Sequence, residues 1–196
     1  LDTTIFVSAM LIAISTHECG HWAIAECFGI LVVGVEFGRG SNPGRVWRRS
    51  GPKIVTRWTF PVLGLCEIPD ETGLPPMQLA ALALAGPLAE VVVLLAAWNA
   101  AARLSPVISA VLTIRIGMAV QNLVPSATKV GEIIGLTDGG LLVLAYKKWR
   151  HPNYRASGYE QLKATLYKLR WLIGFGSMIV IFGIATLVEL HGFQVL

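Results

Sequence analysis

Charge is what this chain has least of: 14% of its 196 residues are Asp, Glu, Lys or Arg, against 54% hydrophobic residues. Its mean hydropathy is +0.62. That balance excludes an ordinary soluble domain and fits a polytopic membrane protein. Cysteine is also scarce. Three thiols, Cys19, Cys27 and Cys66, with no C-x-x-C pair, exclude a disulfide framework and a thiolate metal cluster. Apolar neighbours around Cys19 and Cys27 favour reduced, buried thiols. There is no internal repeat and no low-complexity tract. The apolar start, Thr3 to Thr16, lacks a basic flank and a small-residue cleavage site, so it is expected to be mature structure behind a processed or truncated N-terminus.

Long apolar runs are what the chain does have. A helix needs about 20 such residues to cross a bilayer core. Four stretches are expected to span: about Thr4–Ile30, Met77–Ala102, Pro106–Leu123 and Trp171–Leu190. Ser105-Pro106 makes a tight turn between the second and third. The expected fold is therefore an all-α polytopic membrane protein with about four transmembrane helices. A small membrane-surface β-region is expected between the first and second, with Val32–Gly38 and Ile54–Leu65 as strands around the turn cluster Gly40–Gly44. One domain covers 1–196, with a core over about 4–145. An interfacial helix and the last span cover about 152–194.

The basic residues orient this arrangement. Of 16 Lys and Arg, six lie between Leu31 and Met77 and eight between Ser126 and Arg170. Basic loops stay on the cytoplasmic side, and the four-span topology puts both segments there. The charge is thus an orientation signal and no nucleic-acid surface. A multi-pass integral membrane protein is expected, in the cell membrane if the source is prokaryotic.

The strongest motif is His17-Glu18-Cys19-Gly20-His21, an H-E-x-x-H on a helix. Residues four apart share a face, so both imidazoles can reach one Zn²⁺. Zinc acidifies water to a pKa of about 7, and Glu18 can take the proton as general base. The bland alternative buries two His and a Glu in a membrane span as structure only, which is costly there. A catalytic zinc usually has three protein ligands. Glu26 points off the metal face, His151 lies in the basic inner segment and His191 on the wrong side. Asp138, in Thr137-Asp138-Gly139-Gly140, is the best remaining candidate. A solvated Asp capping a helix over Gly139–Trp149 is its alternative.

These residues resemble the site-2 protease family of intramembrane zinc metalloproteases. The family pattern is H-E-x-x-H, then N-x-x-P, then D-G. Here it is His17–His21, Asn122-Leu123-Val124-Pro125 and Asp138-Gly139. Ala85-Gly86-Pro87-Leu88-Ala89 resembles the family's A-G-P-L-A, and Phe60-Pro61-Val62-Leu63-Gly64 resembles its P-x-G-G element with one Gly missing. The stretch from Pro125 to Asp138 is longer than in the compact form, and no PDZ domain fits between the spans. The resemblance implies His17, His21 and Asp138 as zinc ligands and Glu18 as general base. Asn122 would contact substrate or the developing oxyanion, with Pro125 and Gly64 on the substrate side. The implied partners are a membrane-protein substrate and the lipid bilayer, with room for a regulatory membrane partner. The active site would face the cytoplasm.

A scissile helix must unwind, and the Ile54–Leu65 strand could pair with it or merely plug the cavity. Glu90 and Arg115 fall at depths about 6 Å apart in adjacent antiparallel spans, so an intramembrane ion pair is expected, with a polar path to the active site as the alternative. Other readings are a zincin using Glu160 or Glu132, an inactive relative that binds or chaperones membrane clients, and a transporter. Glu18 and the intact ligands speak against the inactive relative. The lack of pseudo-repeated broken helices speaks against the transporter.

Overall fold

The computed structural model describes residues 2–37, 45–47, 53–56, 64–68, 73–101, 106–130, 133–154 and 156–190. Five helices dominate them: α1 (Asp2–Cys27), α2 (Pro76–Ala101), α3 (Pro106–Asn122), α4 (Asp138–Arg150) and α5 (Ala156–Leu190). Between α1 and α2 lie four short strands, β1 (Gly34–Phe37), β2 (Arg45–Trp47), β3 (Lys53–Thr56) and β4 (Gly64–Glu67). Between α3 and α4 lie two more, β5 (Ala127–Val130) and β6 (Ile133–Leu136).

Small residues let α1 and α2 pack closely. A Cβ on Gly20 would strike the Ala85 carbonyl and the Ala89 side chain, so only glycine permits this crossing. The two helices run antiparallel. His21 meets Leu82 and His17 meets Glu90, so the numbers rise on one helix as they fall on the other. Farther along the same pair, Ala13 packs with Leu94 and with Leu112 of α3. α3 opens on Pro106, whose missing N–H is harmless in a first helical turn. α4 lies against the early turns of α2 and the first half of α5. Its Leu144 and Ala145 share a core with Leu79, Leu162 and Leu166, and Lys148 Nζ donates to the Leu74 carbonyl.

The small sheet has the order β2-β3-β1-β4. β1 runs parallel to β3 and antiparallel to β4, and β2 runs antiparallel to β3. The strand expected over Val32–Gly38 is β1, and β2 was not anticipated. The strand expected over Ile54–Leu65 is two, β3 and β4, with 57–63 outside the described residues, as is the turn cluster 40–44. The β5–β6 hairpin was also unexpected. Val130 pairs with Ile133, which leaves a two-residue connection.

Charge and apolarity are distributed unusually. Among the described residues the buried polar groups are His17, Glu18, His21, Glu90 and Arg115. Large apolar side chains face outward on α1 (Leu11, Ile12), α2 (Leu88, Val92) and α5 (Trp171, Leu172, Phe175). Of the described helices one segment, Pro76–Trp98 with a hydropathy of 2.3, is long and apolar enough to cross a membrane. α3, at 17 residues, is short for a bilayer core, and α1 carries His17, Glu18, His21 and Glu26 within its run.

Two expectations change. The segments expected as an interfacial helix and a last span share one uninterrupted helix, α5, which has no proline within Ala156–Leu190. Cys19 and Cys27 are free but exposed, since the inward stripe of α1 is taken by Ala13, His17, His21 and Ala25.

Candidate metal centre

Two helices bring the candidate ligands together. His17 and His21 stand one turn apart on the inward face of α1, their rings 4.8 Å apart and inclined at 74°. Asp138 opens α4. His17 Nε2 lies 3.1 Å from Asp138 Oδ2, His21 Nε2 lies 3.3 Å from Asp138 Oδ1, and the two Nε2 atoms are 3.1 Å apart. One donor atom from each residue lies within 4.8 Å of the others, so the group could hold a metal ion.

The other ring nitrogens explain why Nε2 points inward. His17 Nδ1 lies 2.9 Å from Glu90 Oε2, and His21 Nδ1 lies 2.8 Å from the Leu82 carbonyl. An ionised carboxylate and a carbonyl only accept, so each Nδ1 donates its hydrogen outward. In the neutral tautomers both Nε2 lone pairs then converge on the oxygens of Asp138. Such a set of acceptors repels itself unless positive charge, from a metal ion or from protons, lies among them. Burial works to raise the Asp138 carboxyl, but with a proton on each Nε2 the hydrogen bonds from both imidazoles outweigh it and hold the group below the ordinary carboxylate range. Its place in the first turn of α4 also favours the anion.

Gly86 makes room for this cluster. A Cβ there would overlap Nε2 and Cε1 of His21 and Cδ2 of His17. Gly86-Pro87 does not start a helix, since α2 opens ten residues earlier at Pro76. Pro87 has no N–H to donate to the Ala83 carbonyl, so α2 lacks one backbone hydrogen bond there. Leu82, Gly86 and Glu90 are spaced by four, so one face of α2 supplies two ring acceptors and the gap between them.

The extra length between Pro125 and Asp138 is taken up by the β5–β6 hairpin. Thr137 closes its base: its N–H donates to the Ser126 carbonyl at 3.1 Å. Its Oγ1 accepts from Ser126 N at 3.1 Å and from Gly140 N at 3.3 Å, and lies 3.1 Å from the Val124 and Ser126 carbonyls. Thr137 is thus the N-cap of α4 as well as the hairpin clamp. Gly139 packs directly on the Leu123 and Val124 backbone, so the segment carrying Asn122 and Pro125 lies beside Asp138 despite the insertion. Thr137→Ala should cost about 1 kcal/mol of stability and weaken metal binding by loosening Asp138, whereas Thr137→Ser should retain both. Thermal unfolding in detergent and metal titration of the two variants would show it.

Glu18, adjacent to His17, is buried at 5% exposure. Gly64 begins β4 opposite Phe37 of β1. Glu26 is exposed and accepts from Trp22 Nε1 at 2.8 Å, and His151 is exposed past the far end of α4 from Asp138, so neither joins the ligands. Glu160 pairs with Lys163 at 2.8 Å on the open side of α5, which removes it as a third ligand. Glu132 and His191 lie outside the described residues. The expected Glu90–Arg115 pair is formed, and Glu90 also reaches His17. That second contact was not anticipated, although Glu90 sits four residues after Gly86 and so shares its face.

No family model matches the chain, and no curated protein matches it. Function therefore has to come from the chemistry of the site.

Proposed function

We propose that this chain is an intramembrane zinc metalloprotease of the site-2 type, hydrolysing peptide bonds in or near transmembrane segments of other membrane proteins. The observation that carries the reading is the meeting of His17, His21 and Asp138, from two helices 117 residues apart in sequence between the last two. Zinc fits the donor set. A tetrahedral site with bonds of about 2.0–2.1 Å separates its donors by about 3.3 Å, close to the 3.1 Å between the two Nε2 atoms and the 3.1 Å from His17 Nε2 to Asp138 Oδ2.

When bound, Zn²⁺ supplies Lewis acidity that activates water and polarises a peptide carbonyl. The remaining work falls to the chain. His17, His21 and Asp138 would hold the ion. A carboxylate oxygen of Glu18 would take a proton from the attacking water and return it to the departing amide nitrogen. Asn122, in the segment packed on α4, would donate its side-chain N–H to the substrate carbonyl. The sheet containing Gly64 would present an edge to the unwound substrate.

The membrane setting has its own support. Buried charges inside an exposed apolar shell are the reverse of a soluble surface, and suit a bundle whose exterior meets lipid. In the proposed topology α1, α2, α3 and the second half of α5 cross the bilayer, with the basic segments on the cytoplasmic face. Gly86 lies ten residues, about 15 Å, from Pro76, so water must reach the metal from the α4 side.

The test is cleavage of a model transmembrane substrate by the purified chain in detergent. Activity should disappear on chelation and return with zinc but not with magnesium. Undiminished cleavage after complete chelation would remove the metal from the mechanism.

A further inference from the structure

The geometry points to Glu90 and Arg115 as a positioning pair for His17, and this rests on the metal-centre reading above. Glu90 is completely buried, and its two carboxylate oxygens face different partners. Oε2 accepts from His17 Nδ1 at 2.9 Å, and Oε1 accepts from Arg115 Nη2. The carboxylate therefore holds the His17 ring in the tautomer and rotation that send Nε2 to the metal. Arg115 in turn fixes the position of the carboxylate. The chain of contact runs from α3 through α2 to α1, so the packing of three helices is read out at one ligand.

Stability alone is a poor reason for this pair. A buried ion pair gives up its hydration, and well-packed apolar residues often do as well or better. Arg115 is also incompletely satisfied. Among the described residues its Nε has no hydrogen-bond partner, and beyond Glu90 its Nη1 meets only the soft sulfur of Met118 at 3.6 Å. His21 needs no such device, because the Leu82 carbonyl belongs to the helix backbone and cannot swing away. The asymmetry assigns the side-chain device to the one ligand that lacks a backbone acceptor.

The deciding experiment compares the wild type, the double variant Glu90→Leu/Arg115→Met, and Glu90→Gln. The double variant removes both charges at once, so no lone buried ion is left to unfold it. Zinc affinity is read by chelator competition, thermal unfolding is read in detergent, and ¹⁵N shifts of His17 in the metal-free protein report which ring nitrogen carries the hydrogen. The double variant should unfold within a few degrees of wild type, bind zinc roughly 10–100-fold more weakly, and lose the pure Nδ1–H tautomer. Glu90→Gln keeps an acceptor oxygen and should recover the tautomer and part of the affinity. Wild-type affinity and tautomer in the double variant would overturn the pair's role and leave the metal centre standing. Collapse of the fold in both variants would also overturn it, by making the pair structural. A wild type that binds no zinc would show instead that the metal reading itself has failed.

Discussion

Glu18→Gln is expected to slow cleavage of a transmembrane substrate by roughly 10²–10⁴-fold while the protein keeps its zinc. The substitution conserves shape and removes only the ability to accept a proton. Glu18 is buried beside His17 on the inner face of α1, where a neutral side chain is less costly than a carboxylate, so the fold should survive. The candidate ligands His17, His21 and Asp138 are untouched. The measurement is a matched pair, zinc content by elemental analysis and cleavage rate on one preparation. Equal rates in variant and wild type would end the general-base assignment. Joint loss of zinc and activity would make Glu18 a support of the metal group and not its base.

The parts of this site differ in how far they could be read in advance. His17 and His21 are local: a spacing of four on a helix puts two rings on one face whatever the rest of the chain does. Glu90 with Arg115 was reachable because depth along two antiparallel helices follows from 1.5 Å per residue. The contact of Glu90 with His17 was not reachable, since it depends on how α1 is rotated against α2. That rotation is decided by the fit of Gly20 and Gly86, which pattern alone does not reveal. Asp138 was a candidate among several for a similar reason. Its distance in sequence from Pro125 is long, and only the hairpin pinned by Thr137 turns that distance into contact.

The fold shows the same division. The expected apolar helices match α1, α2 and α3 within a few residues and the fourth covers only the second half of α5, whereas the strands, at three or four residues each, carry too little pattern to bound. Thr128, Val130, Ile133 and Ile134 did hold a hairpin signal, but one confined to strands of four residues each. The exposed thiols of Cys19 and Cys27 show a related error. Apolar neighbours in sequence say that a helix lies in apolar surroundings, but not which of its faces looks inward.

The second large effect is expected at Gly86, with a sign opposite to the one helix propensity gives. Alanine is the better helix former by about 1 kcal/mol, so on propensity alone Gly86→Ala should strengthen α2. The new Cβ, however, would overlap both imidazoles, with His17 Cδ2 at 2.8 Å and His21 Cε1 at 2.7 Å among its nearest atoms. Neither ring can simply step aside. His17 is tied through Nδ1 to Glu90 at 2.9 Å and His21 to the Leu82 carbonyl at 2.8 Å. Turning the rings breaks those bonds and carries Nε2 away from Asp138, while moving the helices apart undoes the Gly20–Ala85 contact. Zinc affinity should therefore fall on the order of 100-fold, and cleavage with it, while helix content by circular dichroism stays unchanged. Gly174→Ala in α5 is the matched control, because nothing lies within 4 Å of a Cβ there. It should leave zinc binding at the wild-type level. Wild-type zinc affinity in Gly86→Ala would mean that α1 and α2 do not close on the metal group as tightly as this packing requires.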